Sequence, residues 1–234
     1  MAEPIRVGNT DCEFLLETPN KSTTTVVVFL PGISGGAFLE RFQPVVDACL
    51  NAGFAIARIS AWKNSDEVEG KNLNDIYRAV GDVTTYLHEQ GYTEIFGIGK
   101  SFGGAIMLTF PSAYISKKVL WAPAIGVVET GGNIGAYMIA KLGRVSSLLD
   151  IQIDRAFLQQ KENPTLIIHG TADDNIPFSN SEQIVSMLPN ASLVAIEGAD
   201  HSYKDKEHEA AVIKATMNFL TADPKALFKP WEPL

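Results

Sequence analysis

The sequence predicts an α/β fold: a mostly parallel sheet with helices on both faces. Three observations carry that expectation. Apolar runs of strand length alternate with helix-spaced segments along most of the chain, as repeated β–α units do. The runs at 26–30 and 95–98 are continuously apolar and read as strands buried in the sheet interior. With 234 residues, 46% of them apolar, the chain can bury a sizeable core.

The elements follow in order. A first strand is expected over 11–17 and a second over 26–30. A helix over about 39–51 stops at Gly53, and the next strand, 54–59, ends at Ser60-Ala61-Trp62. A polar loop, 63–71, leads to a long helix over 74–90 that Gly91 ends. The strand at 95–98 is followed by a buried helix through Ala105 to Leu108, then by a strand over 117–121 ending at Ala122-Pro123. Strands at 165–168 and 192–196 and a final helix complete the pattern. Residues 124–163 break the rhythm, because some 40 residues exceed what a crossover needs. Glycines 131, 132 and 143 punctuate that stretch, and Ile134, Tyr137, Met138, Ala140 and Leu142 lie close to amphipathic helical spacing. No repeat, low-complexity tract or linker appears, so one domain over 1–234 is expected.

Composition narrows the partners. A net charge of −8 disfavours nucleic acid or an anionic membrane and leaves an anionic substrate open. Cys12 and Cys49 are too few for a disulfide framework and read as two reduced thiols in or near the core. The first residues lack a basic and then apolar signal pattern, and no apolar stretch approaches the ~18 residues a span needs. The cytoplasm is the expected compartment, with no membrane partner, as a monomer or homodimer.

The stretch richest in chemistry is Gly97-Ile98-Gly99-Lys100-Ser101-Phe102-Gly103-Gly104. Its Gly99-x-Ser101-x-Gly103 falls between an expected strand and an expected helix. A serine on such a sharp turn is pushed out of the sheet into a crevice, and small flanking residues let the turn close. The helix that starts there points its first amides at whatever lies beside the serine. Gly99-Lys100-Ser101 also spells the end of a phosphate-binding loop, but Glu94 stands where that loop requires glycine.

A serine nucleophile needs a base, and the base needs an orienting carboxylate. Four histidines compete. His88 sits near the end of the 74–90 helix and His208 in a charged helix start; both read as surface groups. His169 ends the 165–168 strand, where a histidine more often holds a loop by a hydrogen bond. His201 lies in the loop Gly198-Ala199-Asp200-His201-Ser202 after a strand, where α/β sheets place their chemistry, and is the expected base. The acid comes from His169-Gly170-Thr171-Ala172-Asp173-Asp174-Asn175-Ile176-Pro177. Turn chemistry alone leaves Asp173 and Asp174 as alternatives, or both as turn formers.

The order Ser101, acid, His201 is that of the α/β-hydrolases, which the chain resembles over nearly its whole length. The likeness rests on the two loops just quoted, on Gly99-Lys100-Ser101-Phe102-Gly103-Gly104 and on Leu30-Pro31-Gly32-Ile33-Ser34-Gly35-Gly36. The resemblance implies the α/β-hydrolase fold with a small helical cap at about 124–163. The loop from His169 resembles the family's H-G-x-x-D-x-x-[VI]-P, which places the acid on Asp173. It also implies an oxyanion hole from the backbone amides of Ile33 and Phe102. If the insertion is a cap, Tyr137, Met138 and Leu142 are candidates for the acyl or alcohol pocket, and Trp62 for the crevice wall or a buried structural role. Lys100 departs from the family, which most often has histidine before the nucleophile. A cation there would assist an anionic transition state or face solvent beneath the turn. Ser34 could add a hydroxyl donor.

The expected function is hydrolysis of carboxylic esters of small to medium acyl or alcohol groups, through an acyl-enzyme on Ser101 and with no metal or organic cofactor. The same residues would serve a thioesterase, amidase, peptidase or acyltransferase. A non-catalytic ligand-binding protein of this fold is the alternative from another class.

Overall fold

The computed structural model of the protein describes residues 3–8, 12–125, 132–133, 152–153 and 155–223. Eight strands form one sheet: β1 (Ile5–Arg6), β2 (Glu13–Glu17), β3 (Thr25–Leu30), β4 (Ala55–Ser60), β5 (Glu94–Lys100), β6 (Ile115–Trp121), β9 (Thr165–Gly170) and β10 (Ala191–Ile196). Two more, β7 (Gly132–Asn133) and β8 (Gln152–Ile153), pair antiparallel with each other. The main sheet runs in the order β1-β2-β4-β3-β5-β6-β9-β10. The six strands from β4 to β10 are parallel, and β1 and β2 form an antiparallel edge. This is the α/β-hydrolase fold. β5, which ends at Lys100 just before Ser101, lies between β3 and β6 in the middle of the sheet and pairs with both.

The helices divide between the faces. A short 3₁₀ turn (Glu40–Phe42) and α1 (Gln43–Asn51) share one core with α7 (Lys206–Thr221). On the other face lie α3 (Leu73–Glu89), α4 (Phe102–Thr109), α5 (Arg155–Gln159) and α6 (Phe178–Met187). All eight residues of α4 are buried, so the helix that follows Ser101 is held by packing and needs no polar face. Among the described residues no helix is long and apolar enough to cross a membrane.

The expected boundaries of the main strands and of α3 shift by no more than about two residues. Among the elements that escape the sequence patterns are β1, α6 and α2 (Ser65–Glu69). β1 has two residues, too few to show a period. α6 follows the loop that carries Asp173. α2 is a single turn within the stretch read as loop. Its Asn64 side chain accepts from the Glu67 amide, a local cap that stabilises a turn too short to be amphipathic. Of the expected cap, the residues between Ile125 and Arg155 other than those of β7 and β8 lie outside the described residues, as do Tyr137, Met138 and Leu142.

Cys12 and Cys49 are free and buried, and burial pushes both thiols up to about 12. The thiolate is the reactive form. Native protein should therefore resist iodoacetamide at mildly alkaline pH, while denatured protein takes two carbamidomethyl groups; mass spectrometry reads the difference.

Candidate active site

Ser101 stands between β5 and α4 at φ 52° and ψ −115°, a backbone conformation that costs a non-glycine residue about 1–3 kcal/mol. The surrounding structure holds it there. Its amide donates to the Trp121 carbonyl at 2.8 Å, and its carbonyl accepts from Ala124 at 2.9 Å and Ala105 at 3.1 Å. The flanking glycines are there for space. A Cβ on Gly99 would lie 2.3 Å from the Gly103 carbonyl oxygen, and one on Gly103 would lie 2.3 Å from that of Pro31. Backbone therefore passes against backbone on both sides of the serine, which lets the turn close.

His201, in the loop between β10 and α7, brings Nε2 to 3.1 Å from the Ser101 Oγ. Its Nδ1 is 2.7 Å from Asp173 Oδ2. The carboxylate accepts only, so the neutral ring carries its proton on Nδ1 and leaves Nε2 to accept from the serine hydroxyl. Asp173 is fully engaged. Its Oδ1 accepts from the amides of Asn175 and Ile176, each at 2.8 Å. Its Oδ2 serves two histidines, His201 and the buried His169, whose Nε2 is 3.0 Å away. Burial by itself would raise the carboxyl. The hydrogen bonds from His169, His201 and Ile176 outweigh it and hold Asp173 well below the usual carboxylate range. Asp174, one residue on, is exposed.

His169 is the residue whose part in the site the sequence understated. Its Nε2–H lies between Asp173 Oδ2 and the Ile176 carbonyl, 3.1 Å away, so Nδ1 accepts the Ser181 hydroxyl at 2.6 Å. It ties Asp173 to the first turn of α6. Its removal should leave three buried polar groups short of a partner. His169→Ala is expected to lose roughly 2–4 kcal/mol in urea unfolding, with activity falling less than when Asp173 itself is changed.

The turn after β3 closes the other side. Gly32 packs so near Ser101 that an added Cβ would sit 3.5 Å from the serine Cβ. Ile33 is the next residue along that turn. Phe102 is the first residue of α4, whose opening amides have no acceptor within the helix. Among the described residues, no backbone carbonyl accepts from the amide of either Ile33 or Phe102. Trp62 is wholly buried: its Nε1–H donates to the Gly32 carbonyl at 2.9 Å and its ring meets Phe102 edge-on, 5.1 Å between centroids. Of its two expected places, the structure shows the buried one, where it buttresses the backbone of the Gly32 turn and is no crevice wall. Ser34 is exposed.

Lys100 does not face solvent, one of its two expected places. It is buried, and its ammonium donates to the His201 carbonyl at 2.7 Å and lies 5.1 Å from the Tyr203 ring centre. Lys100 thus ties the end of β5 to the backbone of the candidate base. The loop is also shaped by Asp200, whose Oδ1 accepts from the amides of Ser202 and Lys204 at 3.0 and 3.2 Å. Tyr203, at φ 52°, donates its hydroxyl to the Ile168 carbonyl at 3.0 Å. His88 is exposed and stacks on Tyr114, while His208 is half-buried at the start of α7. Among the described residues no three of His, Cys, Asp and Glu converge to hold a metal ion.

Comparison with known proteins places this geometry within its fold. The chain is similar to Est1E from Butyrivibrio proteoclasticus, with 19% identity, TM-score 0.73, and 94% of this chain and 99% of that chain covered. A dienelactone hydrolase from Anabaena variabilis gives 18% identity and TM-score 0.70, covering 94% and 95%. An esterase from Exiguobacterium antarcticum gives 16% identity and TM-score 0.70, covering 94% and 100%. Residues 146–225 match the model of the prolyl oligopeptidase family, a stretch that holds Asp173 and His201 but not Ser101. No curated protein matches the chain in sequence. These likenesses, with the sheet order and the Ser101 turn, identify an α/β-hydrolase fold.

Proposed function

We propose that the protein is a serine hydrolase that cleaves carboxylic esters of small to medium size through an acyl-enzyme on Ser101. The observation that carries this reading is the unbroken line from Ser101 Oγ through His201 to Asp173, mounted on a strained turn. In the proposed cycle Ser101 Oγ attacks the ester carbonyl as His201 Nε2 takes its proton. Asp173 keeps the ring in the required tautomer and stabilises the imidazolium. The amides of Ile33 and Phe102 receive the negative oxygen, and each such donor is worth roughly 3–4 kcal/mol of barrier. His201 returns its proton to the departing alkoxide. Water, deprotonated by His201, then attacks the acyl group; the bond to Ser101 Oγ breaks, His201 returns the proton to that oxygen, and the acid leaves. Esterases among the similar folds support ester as the substrate class, and Est1E has been seen with ferulic acid bound.

The match to the prolyl oligopeptidase family favours one second reading, amide or peptide cleavage at the same serine. Both share a first test: intact mass after a small fluorophosphonate, with wild type beside Ser101→Ala. One adduct on wild type and none on the variant is the expected result. A well-folded wild type that takes no adduct sinks both readings. Matched p-nitrophenyl esters and p-nitroanilides then separate them, with esters expected to turn over faster.

A further inference from the structure

We infer that a cavity on the α1–α7 face, behind the Ser101 turn, binds a small carboxylate with an apolar tail. The cavity has a volume of about 300 Å³, at the lower end of the roughly 300–1,000 Å³ typical of ligand sites. Its lining includes Lys100 but not Ser101, Asp173 or His201. One part of its wall is apolar: Phe42 and Val45 from the α1 side, Val212 and Ile213 from α7, and Trp121. The Trp121 indole N–H is already committed to the Thr216 hydroxyl at 2.9 Å.

Three of the four charged groups in the lining are cationic, and Ser202 and Tyr203 add hydroxyls. Lys100 is buried and Arg41 is exposed. Lys204 also lines the cavity but is shared with Asp200 at 3.7 Å, and Glu209 is the one carboxylate in the lining. An ammonium has three N–H donors. Among the described residues Lys100 has one hydrogen-bond acceptor, the His201 carbonyl. Burial, with the like charge of Arg41 adding to it, lowers its ammonium to about 8. A buried cation with spare donors gains most from an anion at that point. One buried donor group and one at the surface suit a monoanion; the apolar part of the wall suits a hydrocarbon tail. A bound carboxylate would also compete for the ammonium that holds the His201 carbonyl.

The test is a titration of the whole protein with sodium octanoate, followed by amide chemical shifts. Saturable shifts at Phe42, Val45, Val212 and Ile213 at sub-millimolar octanoate are expected. Octanol, which keeps the tail without the charge, should bind at least tenfold more weakly. Arg41→Glu should weaken octanoate at least tenfold, and Ile213→Trp, which fills the cavity from a half-buried position, should abolish the shifts. The proposal is overturned by shifts confined to Ile33 and Phe102, by equal binding of octanol, or by no saturation in the millimolar range. Because the readout is binding, it stands or falls separately from turnover at Ser101.

Discussion

Asp173→Asn should lower kcat for ester hydrolysis by about 10⁴-fold with little change in KM. The reason is the hydrogen-bond pattern and not lost charge alone. Asp173 Oδ2 accepts from two ring nitrogens, His201 Nδ1 and His169 Nε2. An amide nitrogen in that position donates instead, so His201 must turn its unprotonated nitrogen toward it and carry the proton on Nε2. That tautomer cannot take the Ser101 proton. The amide oxygen can keep the Asn175 and Ile176 amides, so the loop should survive. Steady-state kinetics with circular dichroism checks both halves, and wild-type kcat in a folded variant would remove Asp173 from the proposed mechanism.

The same substitution should change the pH dependence of stability. The folded carboxyl titrates below its ordinary value near 3.8. Between the two values the unfolded chain binds more protons, so the stability Asp173 contributes is present above about 3.8 and lost as the pH falls toward the folded value. Urea unfolding across the acid range should therefore be steeper in pH for wild type than for Asp173→Asn.

Gly103→Ala should destabilise the protein by about 2 kcal/mol, a loss of roughly 4–8 °C in Tm at this chain length. Helix propensity alone predicts the opposite sign, a gain of about 1 kcal/mol. Geometry decides against it, because the new methyl would meet the Pro31 and Leu30 carbonyl oxygens at 2.3 and 2.5 Å. Those atoms belong to the end of β3 and the turn before Ile33, so relaxation would move the proposed oxyanion donors and lower kcat as well. Gly81→Ala in α3 is the control. Its nearest neighbours are Phe110 ring atoms at 3.9 Å, ordinary contact. It should be neutral or stabilising by up to about 1 kcal/mol. Thermal unfolding of both variants checks the contrast in sign.

The sequence by itself determined the strand–helix alternation and the positions of Ser101, Asp173 and His201 in loops at strand ends. Both are local properties. A buried strand shows in a few consecutive apolar residues, and the turn at Ser101 shows in glycines two residues to either side. Turn chemistry could not separate Asp173 from Asp174; motif spacing did, and the structure turns Asp173 toward both histidines and leaves Asp174 exposed.

Tertiary structure alone decided the rest. Lys100 reaches the His201 carbonyl across 101 positions of chain, and Trp62 reaches the Gly32 carbonyl across 30. Nothing near Lys100 in sequence says which face of the sheet its ammonium will enter or what acceptor waits there. His169 shares the Asp173 carboxylate only because the loop after β9 curls back toward the strand end and α6 brings Ser181 to its other nitrogen. The cavity behind the turn exists because α1 and α7, far apart in sequence, meet over the same strands. Strand and turn signals are set by neighbours along the chain. Partners of buried polar groups are set by packing between distant segments, and packing chose them here.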